Sequence, residues 1–490
     1  MGLMLLVALL VTLNGGQVNA YTPIAFTPTA DTGTAKHYTE LDFPSLPEVK
    51  LPDYERYQLD NGMVVYLMEE HELPLVSGTA IIRTGSRLEA PEKAGLAEIT
   101  GTLLRTGGTK EHTPDELNQL LEQKAAVVET SVGKTSGGAS FEALSEDMET
   151  VVNLFAEVLR YPAFAKEKLA LAQQQTAGGI ARRNDDPGDI ASREFNKLIY
   201  GDTSPYARTV EYETLTNISR SDVVNFYEQY FHPENIILGM VGDFAPNQMK
   251  ALIEEAFGDW PSNSSATAIQ VPSASQQQAG KIFFANQPQL TQSNILLGHL
   301  GGQLDNPDYP ALSVLNGVMN GFGGRLFNEI RSRQGLAYSV YSVWSPRYDY
   351  PGIFIAGGQT RSDATVPFIE SVRDELQKLR NQPITSQELT YAQESILNSF
   401  VFNFQNPEQT LARLMRYEYY GYPADFIFQY QRAIKNVTID DVQRVAREYL
   451  QPEKIVTLVV GNSSDIQPPL SILGTQVETV DIAIPTLGNS

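Results

Sequence analysis

A collinear repeat constrains this chain more than any other feature. Asn217 to Gly242 (NISRSDVVNFYEQYFHPENIILGMVG) and Asn436 to Gly461 (NVTIDDVQRVAREYLQPEKIVTLVVG) align without a gap at a constant offset of 219. Asp222 matches Asp441, Tyr230 matches Tyr449, Pro233-Glu234 matches Pro452-Glu453 and Gly242 matches Gly461. Upstream, at an offset of 220, Leu169, Ala172 and Gln173 match Leu389, Ala392 and Gln393. Pro187 likewise matches Pro407, and Tyr200-Gly201 matches Tyr420-Gly421. A period of this length is far beyond that of a solenoid and means two copies of one whole domain. The repeated unit is a helix, a Pro-Glu turn, an apolar strand and a glycine, which describes a helix packed behind a sheet.

Local signals fill in the rest of the unit. Asn61-Gly62 is a hairpin-type turn leading into a strand at Val64–Leu67, with a pairing strand from Val76 to Arg83. Gly95 to Leu104 reads as a helix. Thr113 with Glu116 forms a capping box for another, and residues 146–160 carry apolar side chains along one helical face. Strands in hairpins mixed with helices argue for an α+β fold, each domain a mostly antiparallel sheet with helices packed on it. The Ser-, Ala- and Gln-rich stretch 262–278 is the expected linker. The domains then fall at 50–261 and 279–464, with an irregular tail at 465–490 and an extended arm at 21–49. Residues 3–13 form an apolar run of secretory-core length, and Val18-Asn19-Ala20 offers small residues for cleavage. Residues 1–20 are therefore expected to be an export signal, with a mature start near Tyr21 and a periplasmic or otherwise extracytoplasmic location.

Composition excludes several functions. Lys and Arg number 36 against 58 Asp and Glu, a formal net charge of −22, which argues against nucleic acid and against an anionic membrane surface. No later run reaches spanning length, so no stable membrane anchor is expected once the signal is removed. The chain has no cysteine, which removes disulfides, thiolate metal sites and thiol nucleophiles together. Its five histidines are His37, His71, His112, His232 and His299. No two share a helix turn, so no local His-pair metal site exists. His71, in Glu69-Glu70-His71-Glu72, reads as a solvated turn.

The stretch 321–344, GFGGRLFNEIRSRQGLAYSVYSVW, carries the chemistry. Leu326, Phe327, Ile330 and Leu336 recur near helical spacing, Gly335 is a natural stop, and Tyr338, Val340 and Tyr341 open a strand. Arg331 late on the helix and Tyr338 at the start of the strand are seven residues apart across a tight turn. A guanidinium and a phenol so placed supply donors for a carbonyl or oxyanion; a surface arginine beside a sheet-edge tyrosine is the plainer reading of the same residues.

The tandem domains and RLFNEIRSRQGLAYSVYS resemble the pitrilysin/insulinase family of zinc metallopeptidases, which includes the mitochondrial processing peptidases and their bacterial relatives. The resemblance implies two homologous halves that form part of a clamshell around an unfolded peptide. It also implies that Arg331 and Tyr338 bind substrate and help hold the oxyanion. Within the family frame Gly95-Leu96-Ala97, Glu98 and Thr102 stand where the two histidine ligands belong, Gly101 where the catalytic glutamate belongs, and Gly179 where the third ligand belongs. The chain thus resembles a non-zinc subunit with no cofactor of its own. Its expected partners are an extended peptide and a homologous subunit that carries the zinc. A catalytically inactive peptide-binding or scaffold protein of the same fold is the alternative.

Overall fold

The computed structural model describes residues 49–263, 270–474 and 476–485. The expected signal and all but the end of the expected arm lie outside the described residues. In the first half, β1 (Glu55–Gln58), β2 (Val64–Glu69), β3 (Leu75–Ile82), β4 (Val127–Val132), β5 (Gly137–Leu144) and β6 (Ile236–Gly242) form one sheet in the order β1-β2-β6-β3-β5-β4. In the second, β7 (Ile282–Asn286), β8 (Gln292–Leu300), β9 (Ala337–Ser345), β10 (Ile353–Arg361), β11 (Val456–Gly461) and β12 (Val477–Thr479) run β12-β7-β11-β8-β10-β9. Most pairings are antiparallel, but β2 runs parallel to β6 and β7 parallel to β11, so both sheets are mixed. The apolar run IILGMVG is buried along its whole length as β6, as is β11, which fits a strand covered on both faces. The tail expected to be irregular supplies β12, parallel to β7, at the edge that β1 occupies in the first sheet.

The repeated residues do the same physical work twice. Helices Arg220–Tyr230 and Ile439–Tyr449 each start in a capping box, Ser219 with Asp222 and Thr438 with Asp441. The Gln173 amide donates to the carbonyls of Leu215 and Ile218, both at 3.0 Å. Gln393 donates to Ile434 at 2.8 Å and Val437 at 3.1 Å. Each glutamine thereby fixes the chain just before the capped helix.

The halves are not independent beads. Helix Pro187–Tyr200 of the first half lays Ile190, Phe195 and Ile199 against Phe283, Leu296 and Leu458 of the second sheet. Helix Pro407–Tyr420 returns the arrangement, packing Leu411, Leu414 and Met415 on Tyr66, Ile237 and Val241. The approach is close: a Cβ on Gly239 would lie 2.4 Å from the Met415 sulfur. The far part of the linker is also fastened. Gln277 N donates to Ile199 O at 2.9 Å, and Gln276 Oε1 accepts from Leu300 N at 2.9 Å. Across the same boundary Arg87 pairs with Asp349 at 2.8 Å and Arg56 with Glu418 at 2.7 Å. No described helix is long and apolar enough to cross a membrane.

Candidate functional site

The Arg331–Tyr338 segment departs from the expected α-helix. Phe327–Arg333 is π-helical, with Gln334 N bonded to Glu329 O five residues back at 3.1 Å. Such wide turns are rare and recur at functional sites. Leu326 and Ile330 are fully buried and anchor the turn in the second core. Gly335, at φ +65°, reverses the chain, and Leu336 N closes onto Ile330 O at 3.0 Å. β9 follows at once. Its far side has no strand partner, and Tyr338, Tyr341 and Val343 are exposed there.

This geometry brings the two residues together. The Arg331 guanidinium carbon lies 5.3 Å from the Tyr338 ring centroid and 4.7 Å from that of Phe327, so it is held between two rings. Tyr338 is 79% exposed. Among the described residues, no hydrogen bond or ion pair engages the guanidinium or the phenol hydroxyl. Their donors are therefore positioned by stacking and remain available to something outside the chain.

The positions where the resemblance places a metal site lie elsewhere. Glu98 and Thr102 on helix Leu96–Thr106 and Gly179 on helix Lys166–Arg182 line one cleft of about 500 Å³ in the first half. The Arg–Tyr pair is not among its lining residues. A zinc ion of this family needs three nitrogen or oxygen ligands. One carboxylate, one hydroxyl and a glycine do not fit it. Gly101 does not line the cleft: a Cβ there would come 2.2 Å from Val132 N in β4, and its carbonyl accepts from Thr130 Oγ1 at 2.6 Å. Helix and edge strand touch where the family's glutamate side chain would have to fit.

Sequence reasoning missed the arginines of this cleft. Arg193 donates to Arg183 O, Asn184 Oδ1 and Glu194 Oε1, each at 2.7 Å, and Arg183 pairs with Glu211 at 2.8 Å. Their only signal in the sequence is that Arg183 lies four residues before Pro187, which the repeat matches to Pro407. His71 is exposed, as read, with its ring between Asp243 at 2.6 Å and Glu69 at 2.8 Å. Hydrogen bonds to Asp243 first and Glu69 second raise its pKa.

The two glycines predict opposite outcomes. Gly179→Ala, at an exposed helical position with nothing within 4 Å of the new methyl, should stabilise the protein by about 0.5–1 kcal/mol. Gly101→Ala must displace the β4 backbone and should destabilise it by about 1–3 kcal/mol. Denaturant midpoints of the two variants check this, and shifts of the same sign would contradict the packing described.

Comparison with known proteins agrees with the fold. Residues 65–204 match the family described as Insulinase (Peptidase family M16), and residues 217–396 match the Peptidase M16 inactive domain. The chain belongs to the insulinase family of peptidases. An uncharacterized zinc protease of Bacillus subtilis, YmxG, is 24% identical over 361 residues, covering 73% of this chain and 86% of its own. An uncharacterized zinc protease of Mycobacterium leprae is 26% identical over 407 residues, 81% of this chain and 89% of its own. Among solved structures, a peptidase M16 inactive domain from Pseudomonas fluorescens superposes with a TM-score of 0.76 at 25% identity, over 85% of this chain and all of that one. The periplasmic protease PqqL from Escherichia coli gives a TM-score of 0.69 at 16% identity, over 88% of this chain and 49% of PqqL. At that identity it shares the fold.

Proposed function

We propose that this insulinase-family chain is the non-zinc subunit of a heterodimeric metallopeptidase outside the cytoplasm. It binds unfolded peptide and completes the partner's active site with Arg331 and Tyr338. The observation that carries this reading is the state of the pair: stacked in place on an exposed sheet edge with no hydrogen-bond or ion-pair partner among the described residues, while the positions that match the family's metal site hold Glu98, Gly101, Thr102 and Gly179. A pair that served only the fold would be satisfied within it. The partner supplies the zinc chemistry. This chain's part is to hold donors where charge builds on the carbonyl oxygen.

The test is purification of the native protein from the periplasmic fraction of its host. The expected result is a chain starting near Tyr21, in complex with a homologous zinc-bearing subunit, with no zinc and no peptidase activity once separated. One zinc per separated chain with chelator-sensitive proteolysis would refute the assignment, and a chain isolated without any homologous partner would favour a peptide-binding or scaffold role.

A further inference from the structure

A second hollow lies where the two halves meet, away from the Arg–Tyr pair. It has a volume of about 590 Å³ and is bounded by the β4–β5 turn, the β9–β10 loop and the end of helix Pro407–Tyr420. Three cationic side chains line it: Lys134 from the first half, Arg347 and Arg416 from the second. Among the described residues, none of the three takes part in an ion pair. The carboxylate in the wall, Asp349, is already committed to Arg87, which is buried behind it. Three uncompensated positive charges thus converge in a chain whose formal net charge is −22. Lys134 reaches inward to donate to Tyr206 O at 2.5 Å. Burial first, and Arg347 second, lower its pKa, as expected where like charges crowd.

The walls are fixed before any ligand arrives. Tyr419 donates to Thr135 O at 2.6 Å and Tyr420 to Thr135 Oγ1 at 2.9 Å, tying the turn of one half to the helix of the other. Tyr348 stacks on Tyr420 with ring centroids 4.5 Å apart and planes 3° from parallel. Exposed arginines that line a hollow with a tied aromatic wall suit fork-like recognition of oxyanions. The volume falls within the range of small-molecule sites. We infer that this inter-half hollow binds a small, multiply charged oxyanion, a phosphate or polycarboxylate group, through Lys134, Arg347 and Arg416. The inference is independent of the peptidase reading.

Calorimetry of the full chain at low salt, with inorganic pyrophosphate and with citrate as separate probes, tests it. At least one probe should bind in the submillimolar range, and the tighter of the two names the group. The double variant Arg347→Gln/Arg416→Gln should weaken that binding at least tenfold, and Arg416→Gln alone by part of that. Both arginines are exposed, so unchanged circular dichroism is expected. Arg361→Gln, which removes an exposed cation from the end of β10, should leave binding unchanged. No binding of either probe to the wild-type chain, or the same loss in the Arg361 variant, would overturn the inference.

Discussion

Tyr338→Phe is expected to lower the turnover of the complex with the zinc-bearing partner by about a hundredfold to a thousandfold, with little change in folding. A preorganised donor at a developing oxyanion is typically worth about 3–4 kcal/mol, and the substitution removes one hydroxyl while keeping the ring on which Arg331 stacks. The side chain is exposed at a sheet edge, so the core loses nothing. The loss should fall on kcat, because the donor is engaged mainly in the transition state. Arg331→Ala should cost as much or more, since it removes the guanidinium donors and the stack together. Tyr341→Phe, three residues further along the same strand and away from Arg331, is the control and should leave turnover near wild type. Complexes that assemble with both variants and cut at the wild-type rate would remove the chief reason for placing this chain in an active site.

The duplication of the fold was legible because it is written in collinear signals. The matched Asp222 and Asp441 are capping residues, and the matched Gln173 and Gln393 fix the same turn twice, so the repeat in sequence is a repeat of hydrogen bonds. The Arg331–Tyr338 proximity was legible for the same reason, since seven residues and one glycine leave the chain few ways to turn. What sequence could not show are contacts made between distant segments. Nothing in PGDIASREFNKLIY says that it will cover the sheet of the other half, because its apolar face would suit either core. The π-helical turn at 327–333 has the same apolar spacing as an α-helix over so short a run. β12 is three residues long and is a strand only because β7 offers it an edge. Gly101 was expected where the family's glutamate belongs, and only the position of β4 shows that a side chain there would meet the strand backbone.

Asp349→Ala is expected to be among the most destabilising single substitutions on the boundary between the halves, at about 3–5 kcal/mol. Arg87 sits in the first half with its side chain 3% exposed, and Asp349 reaches it from the β9–β10 loop with its own 20% exposed. One bond of 2.8 Å, from Arg87 Nη2, joins them, and among the described residues Arg87 Nε and Nη1 have no hydrogen-bond partner. Removing the carboxylate leaves a buried guanidinium without compensation, and that desolvation cost, more than the lost attraction, sets the size of the effect. The residual exposure of Asp349 lets water reach the site and places the expected loss toward the lower end of the range. The replacement of both partners separates the two contributions. Arg87→Met combined with Asp349→Leu removes both charges and keeps the space filled, so it should recover most of the stability or exceed that of the wild type. Denaturant unfolding of Arg87→Met, of Asp349→Leu and of the double variant measures the coupling. Additive losses would mean that the pair is not coupled, and the boundary would then rest on the two exchanged helices, their apolar faces and the other hydrogen bonds that cross it.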